Sequence, residues 1–209
     1  NPFADEPTGP LVLPGRFSVS LAQRVDGVVT PVPGSVTFNV VADGAGTLSE
    51  ADRKELAEFQ RQAARLQRGL NAALGSANEL AGRLEQARQA LDRTPAADET
   101  SRTAARNLIR ANRDVLRALI GDSGLRARNE NTPTSIAERV GAVVEATRFA
   151  IAKPTGTQRE AYRVASADLT REIEKLRKII ETDVKELEKA MDAAGVPWTP
   201  GRLPAWTDR

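Results

Sequence analysis

An unbroken heptad repeat of apolar residues is the feature that most constrains how this chain can fold. Between residues 56 and 91, apolar side chains recur at alternating spacings of three and four over five heptads. Such a seam predicts one long helix that packs along its length in a bundle or coiled coil. The seam residues are Leu56, Phe59, Ala63, Leu66, Leu70, Ala73, Ala77, Leu80, Leu84, Ala87 and Leu91. Ser49, with Asp52 three residues later, predicts where the helix begins, and Thr94-Pro95 predicts its end.

Three more helices are predicted after this first one. Helix two covers about residues 98–120, and residues 122–131 have the polar composition of a loop. Helix three begins at Thr132-Pro133 or at Ser135 and continues to Ile151. Helix four begins at a capping box, Thr157 with Glu160, and ends at residue 195. Because short connections make neighbouring helices antiparallel, we predict a mainly α fold, an up-down-up-down four-helix bundle with two long and two short helices.

A small antiparallel β-unit with Ig-like strands is predicted before the helices. Residues 1–10 are rich in turn formers, and from Leu11 to Val41 the apolar residues alternate with polar ones. Two or three strands alone are only marginally stable in water, so this unit must pack against something else. The predicted domains are therefore residues 1–46 (lead-in and β-unit), 47–195 (helical bundle) and 196–209, an extended tail that docks through Trp198 and Trp206 on the β-unit or on the long helices.

The composition excludes several classes of function. The chain contains no cysteine and no histidine, so it cannot form a zinc site of the usual ligands, a disulfide or a Cys–His or Ser–His catalytic pair. We expect no cofactor, no metal and no enzyme activity within these residues. The 30 basic and 28 acidic residues leave a net charge of only +2, far from the excess of a dedicated nucleic-acid binder. No apolar segment is long enough to span a membrane.

Helix two carries a row of arginines, which we call the arginine stripe. The stripe consists of Arg102, Arg106, Arg110, Arg113 and Arg117, spaced so that they share one helix face. One interpretation is a surface that binds an anion, such as nucleic acid, lipid headgroups or an acidic polysaccharide. The interpretation that we favour is structural, because no aromatic residue lies between the arginines to stack on bases. In that case they pair with acidic residues of helix four, namely Glu172, Glu174, Glu181, Glu186 and Glu188.

Other candidate sites have simpler structural explanations. Asp168 with Glu172, and Glu181 with Lys185, lie at helical spacing and are better explained as surface pairs than as catalytic carboxylates. Gly44 and Gly46 precede a helix, as in a phosphate-binding loop, but no Gly-Lys-Ser/Thr follows them. The two tryptophans could form a platform for sugar stacking, although burial as anchors of the tail is the favoured explanation.

The order of the elements resembles a known family. The residues that carry this resemblance are Pro14-Gly15, then Phe17, Val19 and Leu21, then Asp26-Gly27, then Phe38 and Val40, and finally Gly195-Val196-Pro197. They are similar to the last Ig-like strands and the helical C-terminal region of bacterial exported sortilin-like β-propeller proteins of the sialidase type, with BNR or Asp-box repeats. The chain departs from that pattern at Asp43-Gly44, where an Asp-Pro would leave the last strand, and in a longer loop over residues 28–35.

The resemblance implies an exported, extracytoplasmic protein in which a propeller precedes these residues, and it carries over no catalytic residue. We therefore expect this chain to be part of a longer protein and to serve as a non-catalytic C-terminal interaction or spacer module. Its partner would be its own upstream domain or another protein. A monomer is favoured, and a homodimer through helices one and four is the alternative. The second candidate function is an anion- or nucleic-acid-binding module that uses the arginine stripe.

Overall fold

A computed structural model describes residues 12–42, 48–148, 150–202 and 204. These residues are mainly helical, with one two-stranded antiparallel sheet. The elements are β1 (Gly15–Val25), β2 (Val28–Val40), α1 (Glu50–Asp92), α2 (Glu99–Ile120), α3 (Ser123–Ala127), α4 (Ile136–Arg148), α5 (Gly156–Lys178) and α6 (Val184–Ala193), the last two joined by a π-helical turn, Ile179–Asp183. The predicted lead-in over residues 1–10, Gly44, Gly46 and Trp206 lie outside the described residues.

The heptad prediction for α1 is confirmed. Each of its seam residues, from Leu56 to Leu91, is buried. The predicted beginning of the helix is also confirmed, because the Asp52 N–H donates to Ser49 Oγ at 3.1 Å and the Ser49 hydroxyl donates to Asp52 Oδ2 at 2.8 Å. Side-chain caps of this kind satisfy N–H groups that have no partner in the first turn of a helix.

Three details of the predicted helices are wrong. Residues 122–131 are not all loop, because the Asp122 side chain accepts hydrogen bonds from the N–H groups of Gly124 and Leu125 and begins the short helix α3. Helix α4 ends at Arg148, so Ile151 lies outside it and is 84% exposed. Helix α5 begins at Gly156, which puts Thr157 inside the first turn instead of at the cap.

The long C-terminal helix contains an irregularity that the sequence did not indicate. At the π-helical turn Ile179–Asp183 one extra residue is accommodated, so Ile179 and Val184, five residues apart, are both buried. Lys178 Nζ lies 2.5 Å from Asp183 Oδ1, an ion pair at the same spacing of five. A π turn brings residues five apart onto one helix face, where this ion pair forms.

The described chain divides into two compact units. One contains the hairpin of β1 and β2, α1 up to Gln62, and residues 145–155. Within it Leu56 and Phe59 are buried, and Gln60 Nε2 donates to the Thr147 carbonyl oxygen at 2.9 Å. The other unit contains residues 63–144 and 156–209 and holds a continuous apolar core to which α1, α2, α4, α5 and α6 all contribute. The predicted boundaries at residues 46 and 195 remain predictions.

The predicted up-down-up-down order is not what the second unit contains. Gly69 of α1 lies against Leu169 of α5, and further along both helices Arg83 pairs with Glu188 at 3.1 Å. The residue numbers of both partners increase together, so α1 runs parallel to α5 and α6, whereas the prediction made them antiparallel. The physical reason is that the connection between α2 and α4, which includes α3, does not reverse the chain as a tight helix–helix turn would.

Both shorter helices run against the two long ones. Helix α2 is antiparallel to α1, because Asn112 contacts Ala77 while Arg102, ten residues earlier, donates to the Thr94 carbonyl oxygen. Helix α4 is antiparallel to α5: Arg139 reaches Asp168 at 3.7 Å, and Ala142, further along α4, lines a groove with residues 156–164 at the beginning of α5. In the second unit, α1, α5 and α6 therefore run in one direction, and α2 and α4 run in the opposite direction.

Candidate interaction surface

The hairpin forms because its turn sequence suits the twist of the two strands. Val25 and Val28 are paired, and Asp26 and Gly27 between them have positive φ values of 49° and 83°. Two central residues of positive φ define a type I′ turn, in which Asp-Gly is a favoured pair. The turn fixes the register of the pairs from Val25 with Val28 to Ala22 with Pro31, and beyond a shift between Ala22 and Ser20 a second register continues to the pair Gly15 and Val40.

The strand pairing gives the hairpin one mainly apolar face and one mainly polar face. Side chains alternate along a strand, and directly paired residues lie on the same face. The apolar face therefore consists of Phe17, Val19, Leu21 and Val25 of β1 and Val28, Val36, Phe38 and Val40 of β2, with Gln23 and Thr30 as its polar members. The opposite face carries Arg16, Ser18, Ser20, Arg24, Ser35, Thr37 and Asn39, together with Ala22, Val29 and Pro31 near the turn. We keep the name apolar face for the first set.

Most of the apolar face is uncovered. The exposed fraction of its most accessible members ranges from 48% for Phe38 to 69% for Leu21, whereas Phe17 and Val40 are partly buried. The Phe17 and Phe38 rings stack across the strands with centroids 6.0 Å apart. Elsewhere in the described residues, the exposed large hydrophobic side chains outside this N-terminal segment are Ile120, Ile151 and Trp198. A contiguous exposed apolar patch of this kind marks an interaction surface.

Strand β2 is less regular than β1, because it contains a bulge near the middle of the hairpin. Ser20 pairs with Ser35 and Ala22 with Pro31, so three residues of β2 lie opposite Leu21 alone. Gly34, within this bulge, has φ +107°, a conformation that favours glycine. The β2 strand also contains Pro33, and a proline cannot donate a backbone hydrogen bond. The two edges of the sheet therefore differ chemically.

Three residues of the arginine stripe have partners close to them along the chain. Arg106 pairs with Glu99 and donates to Thr103 Oγ1 at 2.8 Å. Arg117 lies 3.1 Å from Asp114 and 3.0 Å from Asp122. Arg102 is partly buried and donates to a backbone carbonyl, as described above for Thr94. These contacts hold the guanidinium groups against α2 and its ends.

The carboxyl groups in two of these pairs have lowered pKa values. The hydrogen bond from Arg106 holds the pKa of Glu99 below its ordinary value. The pKa of Asp122 is also lowered, first by the hydrogen bond from the Leu125 N–H and then by further contacts that include Arg117. Both carboxylates therefore stay ionised to lower pH than free side chains.

Within the described residues, the acidic residues of helix four that were predicted to pair with the arginine stripe form no ion pair with it. Glu188 pairs with Arg83 of α1, and Glu172 is buried and pairs with Lys175 at 2.7 Å. Within the part of the chain that the structure describes, Arg110 and Arg113 have no ion pair and are exposed. The reason is that Glu99, Asp114 and Asp122, on α2 and next to its end, lie close enough to form ion pairs with Arg106 and Arg117.

The carboxylate pairs singled out in the sequence do not form a catalytic arrangement. Asp168 is bound by Arg171 and lies 3.7 Å from Arg139, so its charge is neutralised by two guanidinium groups. Over the described ranges, no ion pair joins Glu181 to Lys185, and no cluster of three or more carboxylates could hold a metal ion. A glycosidase needs two carboxyl groups facing each other across a cleft, whereas Asp168 and Glu172 are held in ion pairs with Arg171 and Lys175 of their own helix.

The tail is anchored by a residue that the sequence did not single out. The Arg202 side chain is 3% exposed, pairs with Asp192 and donates to the Pro197 carbonyl oxygen at 3.1 Å. Its guanidinium carbon lies 4.9 Å from the centre of the Trp198 ring, and Trp198 itself remains 52% exposed. Trp198 is therefore not buried itself, because Arg202 occupies the interior position and the tryptophan covers it. The prediction that at least one of the two tryptophans docks stays a prediction, since Trp206 lies outside the described residues. The docking of the tail on the β-unit remains a prediction.

The described helices were compared with the requirements of a membrane span, and the chain with known proteins. Of the helices that the structure describes, none combines the length and the apolar character needed to cross a bilayer. Comparison of the sequence with protein families and curated proteins, and of the structure with solved structures, finds no match. The resemblance to sortilin-like propeller proteins therefore remains a hypothesis.

Proposed function

We propose that this chain is a non-catalytic interaction and spacer module of a larger exported protein, and that its hairpin docks on a β-domain of that protein. The observation that carries the proposal is the uncovered apolar face. Six of its residues, Val19, Leu21, Val25, Val28, Val36 and Phe38, are about half exposed or more. A two-stranded hairpin is marginal on its own and gains stability when its apolar face is buried.

The chemistry of the rest of the chain supports binding over catalysis. The absence of histidine and cysteine leaves carboxylates, hydroxyls, lysine and arginine as reactive groups. Asp168 and Glu172, the carboxylates examined as catalytic candidates, are held in ion pairs. A general acid or base must be free to reach the substrate within hydrogen-bond distance, and these carboxylates are engaged by arginine and lysine side chains.

The long helices suit a spacer. Helix α1 has 43 residues, which corresponds to about 65 Å at the α-helical rise. Its seam is buried along its length, so the helix is supported by packing and does not depend on intrinsic propensity. The resemblance to sortilin-like proteins adds the expectation that a β-propeller and an Ig-like segment precede this module and that the protein is exported.

The proposal is tested by comparing residues 1–209 with the whole polypeptide that its gene encodes. The test variant combines Val19→Thr, Leu21→Thr and Val36→Thr, which keep strand propensity and make the apolar face polar. The control combines Ser18→Thr, Ser20→Thr and Ser35→Thr on the opposite face. We expect neither set to change the melting temperature of residues 1–209 by more than about two degrees, because the changed side chains are exposed.

In the whole polypeptide, the apolar-face variant should melt several degrees lower than the control, because the same valines and leucine are then buried. Equal melting of the two variants in the whole polypeptide would contradict the proposal. So would a gene product that begins at Asn1, because no upstream β-domain would then exist.

The second candidate function, anion binding, is favoured by one observation. Arg110 and Arg113 lie at the centre of the arginine stripe, are exposed, and have no ion pair within the described residues. A titration of a fluorescent DNA duplex at several salt concentrations tests it. Binding that weakens steeply with salt and is lost in Arg110→Ala with Arg113→Ala would support this candidate. Absence of salt-dependent binding would remove it.

A further inference from the structure

The two edges of the hairpin differ in their ability to accept another strand. In antiparallel strands the N–H and C=O groups of successive residues point alternately to the two sides. The type I′ turn is closed by the hydrogen-bonded pair Val25 and Val28, so the amides of Arg24 and Ala22 point away from β2. The alternation continues along β1, which has no inserted residue and no proline. The outer edge of β1 therefore presents a continuous row of donors and acceptors.

The outer edge of β2 is interrupted. Pro31 pairs with Ala22, so its nitrogen faces the outer edge and has no hydrogen to donate. Pro33 and the bulge at Gly34 follow within three residues and bend the strand away from regular pairing. Prolines and bulges of this kind protect the edges of natural sheets from adding further strands.

A second copy of this chain cannot satisfy both the open edge and the apolar face. Two copies paired through their β1 edges would place both apolar faces on the same side of a four-stranded sheet, still uncovered. Two copies packed face to face would bury the apolar faces and leave both β1 edges unpaired. A β-sandwich does both, because one of its strands extends the sheet and its second sheet covers the face.

We infer that the outer edge of β1 pairs with a strand of the β-domain on which the hairpin docks, and that β2 is the terminal edge strand of the combined sheet. This inference rests on the proposed function and deepens it. The apolar face has no charged residue, so the covering sheet presents uncharged apolar side chains. Arg16 and Arg24, on the opposite face, stay in solvent.

Amide hydrogen exchange, resolved by residue, tests this in residues 1–209 and in the whole polypeptide that the gene encodes. The outward amides of β1 include those of Ser20, Ala22 and Arg24, and the matched outward amide of β2 is that of Val29, which pairs with Arg24. In residues 1–209 all four should exchange at rates close to those of an unstructured peptide. In the whole polypeptide the β1 amides should exchange at least about a hundredfold more slowly, and that of Val29 should not.

Two proline variants check the same point. Ala22→Pro removes an outward N–H from β1, and Val29→Pro removes one from β2, without taking a donor from the hairpin itself. In the whole polypeptide, Ala22→Pro should abolish the slow exchange of Ser20 and Arg24, whereas Val29→Pro should preserve it. Because the exchange rates of the unsubstituted polypeptide decide the question by themselves, a variant that fails to fold does not obscure the result.

The outcomes separate this inference from the proposed function. If the apolar-face variant melts early in the whole polypeptide but the β1 amides exchange freely, the hairpin docks without edge pairing and the inference fails alone. Slow exchange at Val29 in place of the β1 amides also overturns it. If neither effect is seen, the proposed function fails as well. Slow exchange in residues 1–209 together with a mass near twice 22.5 kDa would assign the edge to a second copy and overturn the inference.

Discussion

Asn112 of α2 donates a hydrogen bond from its side-chain amide to the backbone carbonyl oxygen of Ala77 in α1, at 2.9 Å. Asn112 is 1% exposed and Ala77 is fully buried, so the bond lies in the core of the second unit. Its Oδ1 atom has no hydrogen-bond partner among the described residues. A lone asparagine in an apolar seam fixes the alignment of two helices, because other alignments bury the amide without an acceptor.

The first prediction concerns this buried amide. Asn112→Asp should lower the free energy of unfolding by at least about 2 kcal/mol at pH 7, because it places a carboxylate in the core. Burial raises the pKa of the introduced carboxyl above its unfolded value, so the destabilisation grows as pH rises through the unfolded pKa and is smallest below it. Asn107→Asp, at an exposed position of the same helix, is the control. Urea unfolding at pH 4 and pH 7 measures both, and equal effects of the two substitutions would show that the amide has no special role.

The second prediction concerns the heptad seam. Leu70 is almost completely buried, and Leu70→Ala should cost about 2–5 kcal/mol through lost burial and the cavity that remains. Ile151→Ala, at an exposed position, should change stability by less than about 0.5 kcal/mol. Chemical denaturation of both variants provides the measurement. A melting temperature within one or two degrees of the parent for Leu70→Ala would mean that the seam does not support the fold.

The periodic parts of this fold could be predicted from the sequence, and the directions of the helices could not. A heptad repeat reports which side chains face inward, and it placed every residue of the α1 seam correctly. It does not report whether two successive short helices turn back or continue, because that depends on the geometry of the residues between them. Here residues 121–135 contain α3 and allow α4 to run in the same direction as α2.

The candidate site was partly visible in the sequence. The alternation of residues 17–21 and 36–40 correctly indicated two antiparallel strands. The predicted long connection with a loop over residues 28–35 is wrong, because Asp26-Gly27 closes a two-residue turn and β2 begins at Val28. Asn112 was missed although it lies at a seam position of α2, between Leu108 and Val115. Arg202 could not be found, because its burial depends on the path of the tail after Gly195, whose positive φ of 66° ends α6. The Val196 N–H then donates to the Met191 carbonyl oxygen at 2.9 Å, a C-terminal capping pattern that directs the tail.

The third prediction concerns acid. Asp98 caps α2, and the hydrogen bond from the Ser101 N–H, at 2.7 Å, is the main cause that lowers its pKa. A carboxyl group whose pKa is lowered by folding stabilises the protein above its unfolded pKa, and that contribution disappears as pH falls through the folded value. Asp98→Ser, which keeps a neutral cap, should therefore reduce the loss of melting temperature between about pH 5 and pH 2.5. An unchanged acid dependence in this variant would contradict the assignment.

The fourth prediction separates the paired from the unpaired members of the arginine stripe. Arg106→Ala with Arg117→Ala removes guanidinium groups that pair with Glu99, Asp114 and Asp122, and should lower the urea midpoint of unfolding more than the control does, because exposed ion pairs stabilise only weakly but these are several. Arg110→Ala with Arg113→Ala is the matched control, with the same loss of two charges from the same helix. It should leave stability unchanged within about 0.5 kcal/mol. A larger effect of the control in urea unfolding would mean that Arg110 and Arg113 have a structural role.

The fifth prediction concerns the anchor of the tail. Arg202 bonds both the Asp192 carboxylate and the Pro197 carbonyl, and it lies against the Trp198 ring. In a Trp206→Phe background, Trp198 is the sole tryptophan, and its fluorescence reports on the tail. Arg202→Ala should shift the emission to longer wavelength and increase quenching by iodide, because the ring loses its partner. Arg202→Lys should not restore the parent spectrum, since an ammonium group lacks the planar fork that reaches two acceptors and stacks on an indole. If the emission and quenching of Arg202→Ala equal those of the parent, the tail is held by other contacts, and Val196, which is buried beside Met191, is the next residue to replace.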